Sequence, residues 1–516
     1  MRIRRYVEWL ICASIFLVAL AIYSNSSVIR VSDSKYTLLL AEQIVDHGNL
    51  QLDEYFLRTR PSNDGGVVEQ RVKTERHVKE RKGHLYYTYP HGTSILSAPF
   101  VLAYRALGFS TINAAGEYDF STERRLSKAI ASTLTAATCV LFYVLARVLL
   151  PRGSSLVVAA TAGLGTQIWS TASTGLWSHT WGVVILSLVL LLSLRAEKGR
   201  ALHPIFLATL LSWGFFVRPT AAIYIVPFTL YVWLRFRSHV VPFIATGGFW
   251  LGLFVLYSFV QQGALPHYYA RKDWSFSTFP IGLYAQLLSP SRGLFVYVPS
   301  VLIIGYLLVA HFEYLKFRIL VNVSLLTLAL HAFCMAAQKM WWAGVSYGPR
   351  LYTDVVPIFV LLAVIGIDAA RGRDDGRNRK WNDGIMLGTR QLGAVAVASC
   401  ILAGVFINGI GATSRNSGRW DGVPYRANYR PLSTFFEWSN PPFLCALSPQ
   451  RFCPYRDRDQ IAWEFRSLDT DEDGSIDQSE YVGKGFRHFT TADRNGDGWI
   501  ELEEWGAIYG STGSRD

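Results

Sequence analysis

Tyr6–Tyr23, YVEWLICASIFLVALAIY, is an almost unbroken apolar run behind three arginines, Arg2, Arg4 and Arg5. Runs of about 18 or more apolar residues suit a hydrocarbon bilayer better than a soluble core. A cleaved signal peptide shares this charged-then-apolar plan. Here no small-x-small site follows and many more apolar runs do, so the sequence predicts a retained first span. The arginines place its N-terminus inside, by the excess of basic residues on the cytoplasmic side of membrane proteins.

The rest of the chain extends that reading. Of 516 residues, 51% are hydrophobic, 14% aromatic and 17% charged, and the charges fall in blocks between apolar runs. The net charge of +12 does not mark a nucleic-acid binder, because most basic residues lie in short connections where positive-inside bias accounts for them. Further apolar segments lie near 128–149, 154–170, 181–195, 204–217, 221–234, 240–259, 293–310, 319–337, 353–369 and 392–410. With 7–24 they read as about eleven crossings, which keep Arg147 and Arg152, Lys316 and Arg318, and the basic blocks 195–200, 235–237 and 371–390 inside. The apolar segment 93–108, with Pro99 and Arg105, then lies along the outer surface beside the amphipathic stretch 34–46. Segments 204–217 and 221–234 are short and predict a broken or tilted pair around Arg218-Pro219-Thr220. An odd number of crossings leaves the C-terminal region outside.

The expected fold is therefore an all-α polytopic protein of the plasma (inner) membrane. Residues 1–410 form the membrane domain, with 25–127 as its extracytoplasmic first loop. Residues 411–460 form an extracytoplasmic linker and 461–516 a small α-helical domain. Cys12, Cys139, Cys334 and Cys400 lie in or near apolar segments, as packing residues do. Cys445 and Cys453 flank a short proline-containing loop in the predicted exterior, where either a disulfide or two thiols are open.

The C-terminal domain carries the most specific motif. Asp469, Asp471, Asp473, Ser475, Asp477 and Glu480 stand at positions 1, 3, 5, 7, 9 and 12 of a twelve-residue loop, with Gly474 at the turn and Ile476 apolar after it. Asp493, Asn495, Asp497, Trp499, Glu501 and Glu504 repeat the pattern around Gly498 and Ile500. Calcium is a hard cation that takes about seven oxygens, including a backbone carbonyl from position 7 and two carboxylate oxygens from position 12. Both loops resemble EF-hands throughout, which implies calcium as a cofactor. A dockerin repeat fits less well because it normally ends in Asp. In a calcium-rich exterior the filled pair serves as a folding staple or docking module, with regulation as the alternative. Ile476 and Ile500 are expected to pair across the two loops.

In the membrane domain, Asp33 stands where the first span meets the outer loop, in Ser32-Asp33-Ser34-Lys35-Tyr36. Asp33 with Tyr36, Ala41 and Gly48, then Tyr89-Pro90-His91-Gly92, then Trp341-Trp342-Ala343-Gly344-Val345-Ser346-Tyr347-Gly348-Pro349-Arg350, occur in that order. Together they resemble the GT-C glycosyltransferases, in particular the protein mannosyltransferase and aminoarabinose transferase branch, over roughly residues 1–410. His91 stands where that branch has a second proline. The resemblance implies transfer of a sugar from a polyprenyl-phosphate donor to a protein, lipid or glycan acceptor at the extracytoplasmic face. It makes Asp33 the expected catalytic carboxylate, taking the acceptor's proton and facing positive charge at the anomeric carbon. Capping of helix 34–46 is the other role open to Asp33.

A lipid-phosphate leaving group needs cations at the interface, and Arg350, Lys339 and Arg218 are the candidates. Each is also placed to anchor a helix end at the headgroups. His91, His179 and Tyr347 are further possible site members, His179 lying in Thr174-Gly175-Leu176-Trp177-Ser178-His179. The basic run Arg71–Lys82 is either a solvated surface or a contact for anionic groups. No Asp-x-Asp pair occurs in the outer loops of the membrane domain, so no catalytic metal is indicated. The rival readings are a calcium-linked membrane transporter and a noncatalytic scaffold. Transport predicts ionisable residues at mid-span, whereas the informative charges here cluster at outer ends.

Overall fold

A computed structural model of the chain describes residues 2–61, 67–71, 77–114, 116–263, 265, 269, 274–376, 383–422 and 432–452, and in the C-terminal domain 465, 468–469, 473–476, 493, 495 and 497–505. Helix dominates. The elements are α1 (Arg2–Asn25), α2 (Thr37–His47), α3 (Asp53–Phe56), α4 (Gly92–Ala106), α5 (Phe120–Arg147), α6 (Arg152–Leu164), α7 (Ser178–Glu197), α8 (Pro204–Val217), α9 (Ala222–Arg235) and α10 (Val240–Gln262). They continue with α11 (Phe279–Leu288), α12 (Ser300–Ala310), α13 (Arg318–Ala336), α14 (Val356–Gly376) and α15 (Asp383–Thr413).

Among the described residues, seven helices are long and apolar enough to cross a membrane: within α1, α5, α7, α10 and α13, and over Arg350–Gly372 and Gly393–Thr413. This set is compatible with a multi-pass membrane protein. All eleven segments expected from the sequence contain helix, but four fall short of a full span. The residues show why. α6 ends at Leu164 before a π-turn, Ile168–Ala172; α8 and α9 are separated by Arg218-Pro219, where an extended residue is followed by one without an N–H. The 293–310 segment is interrupted before Ser300 by Pro299. Segment 93–108 is helical as α4 but has only 15 residues and an internal Pro99.

The all-α expectation needs one correction. The first loop contains two antiparallel hairpins, β1 (Leu57–Pro61) with β2 (Val67–Arg71), and β3 (Val78–Arg81) with β4 (His84–Tyr87). The second turns on Lys82 and Gly83, whose φ values of 50° and 81° match the primed two-residue turns that follow strand twist. The dense charge of the 71–82 run hides this second hairpin in the sequence.

The core runs between α1, α5, α7 and α14, from Tyr23 and Phe142 through Leu186 and Leu190 to Val356 and Leu361, all fully buried. After α1 the chain runs extended, Val28 N–H donating to Ala412 O at 3.1 Å and Arg30 N–H to Thr174 O at 2.9 Å. These bonds hold the approach to Asp33 between the 171–175 turn and the end of α15. A second cluster joins Trp341 and Trp342 to Trp420, Phe435 and Cys445, beyond α15. Cys445 is disulfide-bonded, while Cys12, Cys139, Cys334 and Cys400 are free thiols. Cys453 lies outside the described residues.

Candidate active site

Asp33 is positioned from below by α5. The Glu123 carboxylate accepts the N–H groups of Tyr36 at 3.0 Å and Leu38 at 2.8 Å, together with the Tyr118 hydroxyl. It therefore satisfies the first turn of α2, the capping role that was the alternative open to Asp33. No side chain of the residue preceding α2 caps it. The backbone carbonyl of Asp33 accepts the Tyr87 hydroxyl at 3.0 Å, and its Oδ1 accepts the Tyr89 hydroxyl at 3.3 Å. The β3–β4 hairpin thus supplies Tyr87 and the segment that carries Tyr89.

Arg350 arrives from the far end of the chain. Gly348 takes φ 62° with its α-carbon against the Tyr297 ring, where an added Cβ would lie 2.6 Å from a ring carbon. Pro349 and Arg350 follow, leading into a 3-10 turn, Arg350–Val355, ahead of α14. The Arg350 guanidinium lies over the Trp177 ring at 4.1 Å and donates through Nη2 to Asp33 Oδ2 at 2.5 Å. Its Nε donates to His179 Nε2 at 3.3 Å. An arginine only donates, so His179 Nε2 is an acceptor and its proton sits on Nδ1, directed at Asp354 Oδ1 2.7 Å away. The other Asp354 oxygen accepts Arg218 Nε at 2.7 Å, and Arg218 Nη1 donates to Ser178 Oγ at 2.9 Å.

The result is a continuous chain, Asp33–Arg350–His179–Asp354–Arg218–Ser178, built from the first loop, the starts of α7 and α14 and the end of α8. Two carboxylates face two guanidinium groups through a neutral imidazole. Exposure is greatest at one end: Asp33 is 31% exposed, against 10% for Arg350, 0% for His179 and 8% for Arg218. The open end is the carboxylate expected to act, and the groups behind it are held in place. Asp33, Tyr89, Trp177, Ser178 and Arg218 line a narrow cleft. Beside it an apolar cavity of about 210 Å³ is walled by Trp213, Phe216, Trp250, Phe254 and Tyr257, with His91 at its edge.

Of the expected site residues, Asp33, Arg350, Arg218 and His179 converge. His91 borders the cleft from beneath: its Nε2 donates to Tyr87 O at 3.0 Å and its Nδ1 accepts the Tyr257 hydroxyl at 2.6 Å. Burial holds its imidazole below the usual histidine range. Lys339 lies elsewhere, exposed in the turn after α13. Tyr347 is buried, and its hydroxyl donates to Ile407 O at 2.8 Å, bracing α15 rather than joining the cluster. Asp354, the hub of the network, was missed in the sequence. The available signal was an acid four residues after Arg350, on the turn ahead of an apolar helix.

The C-terminal loops form a separate candidate metal centre. Ser475–Ile476 pairs antiparallel with Ile500–Glu501, so Ile476 and Ile500 face each other as expected, both fully buried. Asp469 accepts the N–H groups of Asp473 and Gly474, each at 3.0 Å, and Asp493 accepts Gly498 N–H at 3.0 Å. Gly474 and Gly498 stand at φ 87° and 89°, where a side chain would be strained. Glu504 bends over its loop, accepting Asn495 N–H at 3.1 Å and Glu501 N–H at 3.2 Å. Among the described residues no three His, Cys, Asp or Glu side chains converge as a metal cluster. Asp471, Asp477 and Glu480 lie outside the described residues. The loop backbone and the all-oxygen donor set still fit a hard cation: Asp493, Asn495, Asp497, Glu501 and Glu504 would hold it, with Trp499 offering its carbonyl.

A family model described as EF hand matches residues 462–482 and 486–509, in agreement with these two loops. It suggests calcium binding for this domain. No curated protein matches the chain.

Proposed function

We propose that the protein transfers a sugar from a polyprenyl-phosphate donor to an acceptor hydroxyl at the extracytoplasmic membrane face. The observation that carries the reading is the Asp33–Arg350 pair, joined at 2.5 Å between residues 317 positions apart and backed by Arg218 and two further polar side chains. In an inverting displacement the acceptor oxygen bonds to the anomeric carbon as the bond from that carbon to the phosphate oxygen breaks. The acceptor's proton passes to Asp33, and negative charge grows on the departing lipid phosphate.

Arg350 suits both halves of that exchange. Its Nη2 holds Asp33 and its Nε rests on His179, while Nη1 carries no hydrogen bond among the described residues. A phosphate oxygen arriving at Nη1 would draw charge from the guanidinium and loosen its hold on Asp33 as the base is needed. The aromatic cavity beside His91 suits hydrocarbon from the donor. The C-terminal loops have no part in this chemistry, and calcium there serves stability or docking.

The test is transfer of radiolabelled sugar from a panel of polyprenyl-phosphate sugars, in membranes containing wild type or Asp33→Asn. Label should enter an acceptor with wild type alone, a loss of about 10²-fold or more. Equal transfer by both proteins would remove Asp33 from catalysis. No transfer from any donor by folded protein would favour the transporter or scaffold.

A further inference from the structure

A large groove among the described residues lies at the opposite end of the same helices. α1 and α7 run from one end to the other: α1 ends and α7 begins beside the candidate active site, and α5 starts there, with Glu123 under α2. The 28 residues of α5 then carry the chain about 42 Å away at 1.5 Å per residue. At the far end the start of α1 and the ends of α5 and α7 enclose a groove of about 1330 Å³.

Its two walls differ in chemistry. Trp9, Cys12, Val140, Val144 and Leu192 make one side apolar. Arg5, Arg147, Arg195, Lys198 and Arg200 make the rim basic, against the single carboxylate of Glu8. Glu8 is already saturated: it accepts Arg147 Nη2 at 3.1 Å, Arg152 Nε at 2.9 Å and the Tyr143 hydroxyl at 2.8 Å. Arg5, Arg195, Lys198 and Arg200 have no ion pair among the described residues and are exposed. Four cations at the mouth of an apolar cleft between membrane helices match an anionic headgroup with hydrocarbon behind it.

We infer that this groove binds an anionic phospholipid, its phosphate among Arg5, Arg195, Lys198 and Arg200 and its acyl chain along the Trp9–Leu192 wall. The inference rests on the membrane reading of the helices and is independent of glycosyl transfer. Each basic residue near such a headgroup contributes about a fivefold gain in affinity.

Full-length protein purified in detergent is mixed with phosphatidylglycerol, or with phosphatidylcholine of the same chains, and examined by native mass spectrometry. Phosphatidylglycerol should stay bound under activation that strips phosphatidylcholine, and the double variant Arg195→Gln, Arg200→Gln should weaken it about twenty-five-fold. High salt should strip the same adduct from wild type, a check that does not depend on the variant folding. Equal retention of both lipids, a salt-insensitive adduct, or unchanged binding by the folded variant overturns the proposal. Inorganic phosphate that displaces the lipid and binds equally well alone would mark a free-anion site, which also overturns it.

Discussion

At the residue scale the decisive group is Asp354, because it fixes His179 and Arg218 and through His179 steadies Arg350. It is buried with both oxygens committed. Asp354→Asn keeps the shape but leaves a buried guanidinium facing a neutral amide, and removing one partner of such a pair costs about 3–5 kcal/mol. A lowered melting temperature in detergent checks this directly. If Asp354 positions rather than reacts, the variant protein that remains folded should lose donor affinity more than turnover, whereas Asp33→Asn should lose turnover. His91 offers a pH test. Its folded-state pKa is depressed from 6.5 by burial, so on acidification the unfolded chain takes a proton before the folded one does. Stability therefore falls as pH drops through 6.5 towards the folded value, by up to about 1.4 kcal/mol per pH unit. In His91→Gln, melts at pH 7.5 and 5.5 should differ less than they do in wild type, with the pH values chosen about one unit either side of the free imidazole.

At the element scale, α5 shows how local chemistry sets a helix that serves the site. Asp119 caps it, accepting Ser121 N–H at 2.8 Å and Thr122 N–H at 3.2 Å, while the Thr122 hydroxyl donates to its other oxygen at 2.6 Å. These bonds hold the Asp119 carboxyl down at about 2, from 3.8. Its stabilising effect is thus complete above 3.8 and lost as pH falls through about 2. Asp119→Ala should cost about 1 kcal/mol near neutrality, read as a lower melting temperature. The apolar runs made α5, α7, α8 and α10 legible in the sequence to within a few residues at most ends, and α5 starts earlier because Asp119 caps it. The hairpins were not legible, since their strands are short and rich in charge, and neither were the breaks at Gly165 and Pro299, where composition stays apolar while backbone geometry changes. The EF-hand loops were the most legible of all, because each ligand position is specified within twelve residues. Replacing Glu504 by Gln should weaken calcium binding by the second loop at least about tenfold, seen as the loss of one site in calorimetric titration.

At the scale of the whole molecule, the site depends on pairings that no local pattern records. Asp33 and Arg350 are 317 positions apart, and His179 and Asp354 175. Their residue types could be read from the sequence, but which cation met which carboxylate was decided by the packing of α7, α8 and α14. The same holds for a second buried pair outside the site. Arg292, 2% exposed, donates to Asp421 at 2.6 Å and to the carbonyls of Trp342 and Ser291, and lies over the Trp420 and Phe435 rings. It fastens the segment after α15 to the 341–350 loop that delivers Arg350. Asp421→Asn should therefore lower stability by about 3–5 kcal/mol, as an unpaired guanidinium is left inside a ring of aromatics. Replacing both partners by apolar residues, Arg292→Met with Asp421→Leu, should recover much of that loss, since the desolvation of both charges disappears with their attraction. Thermal melts of the two single variants and the double variant in one detergent measure the coupling. Recovery of stability without recovery of transfer would show that the clamp positions the Arg350 loop and does more than hold the fold together.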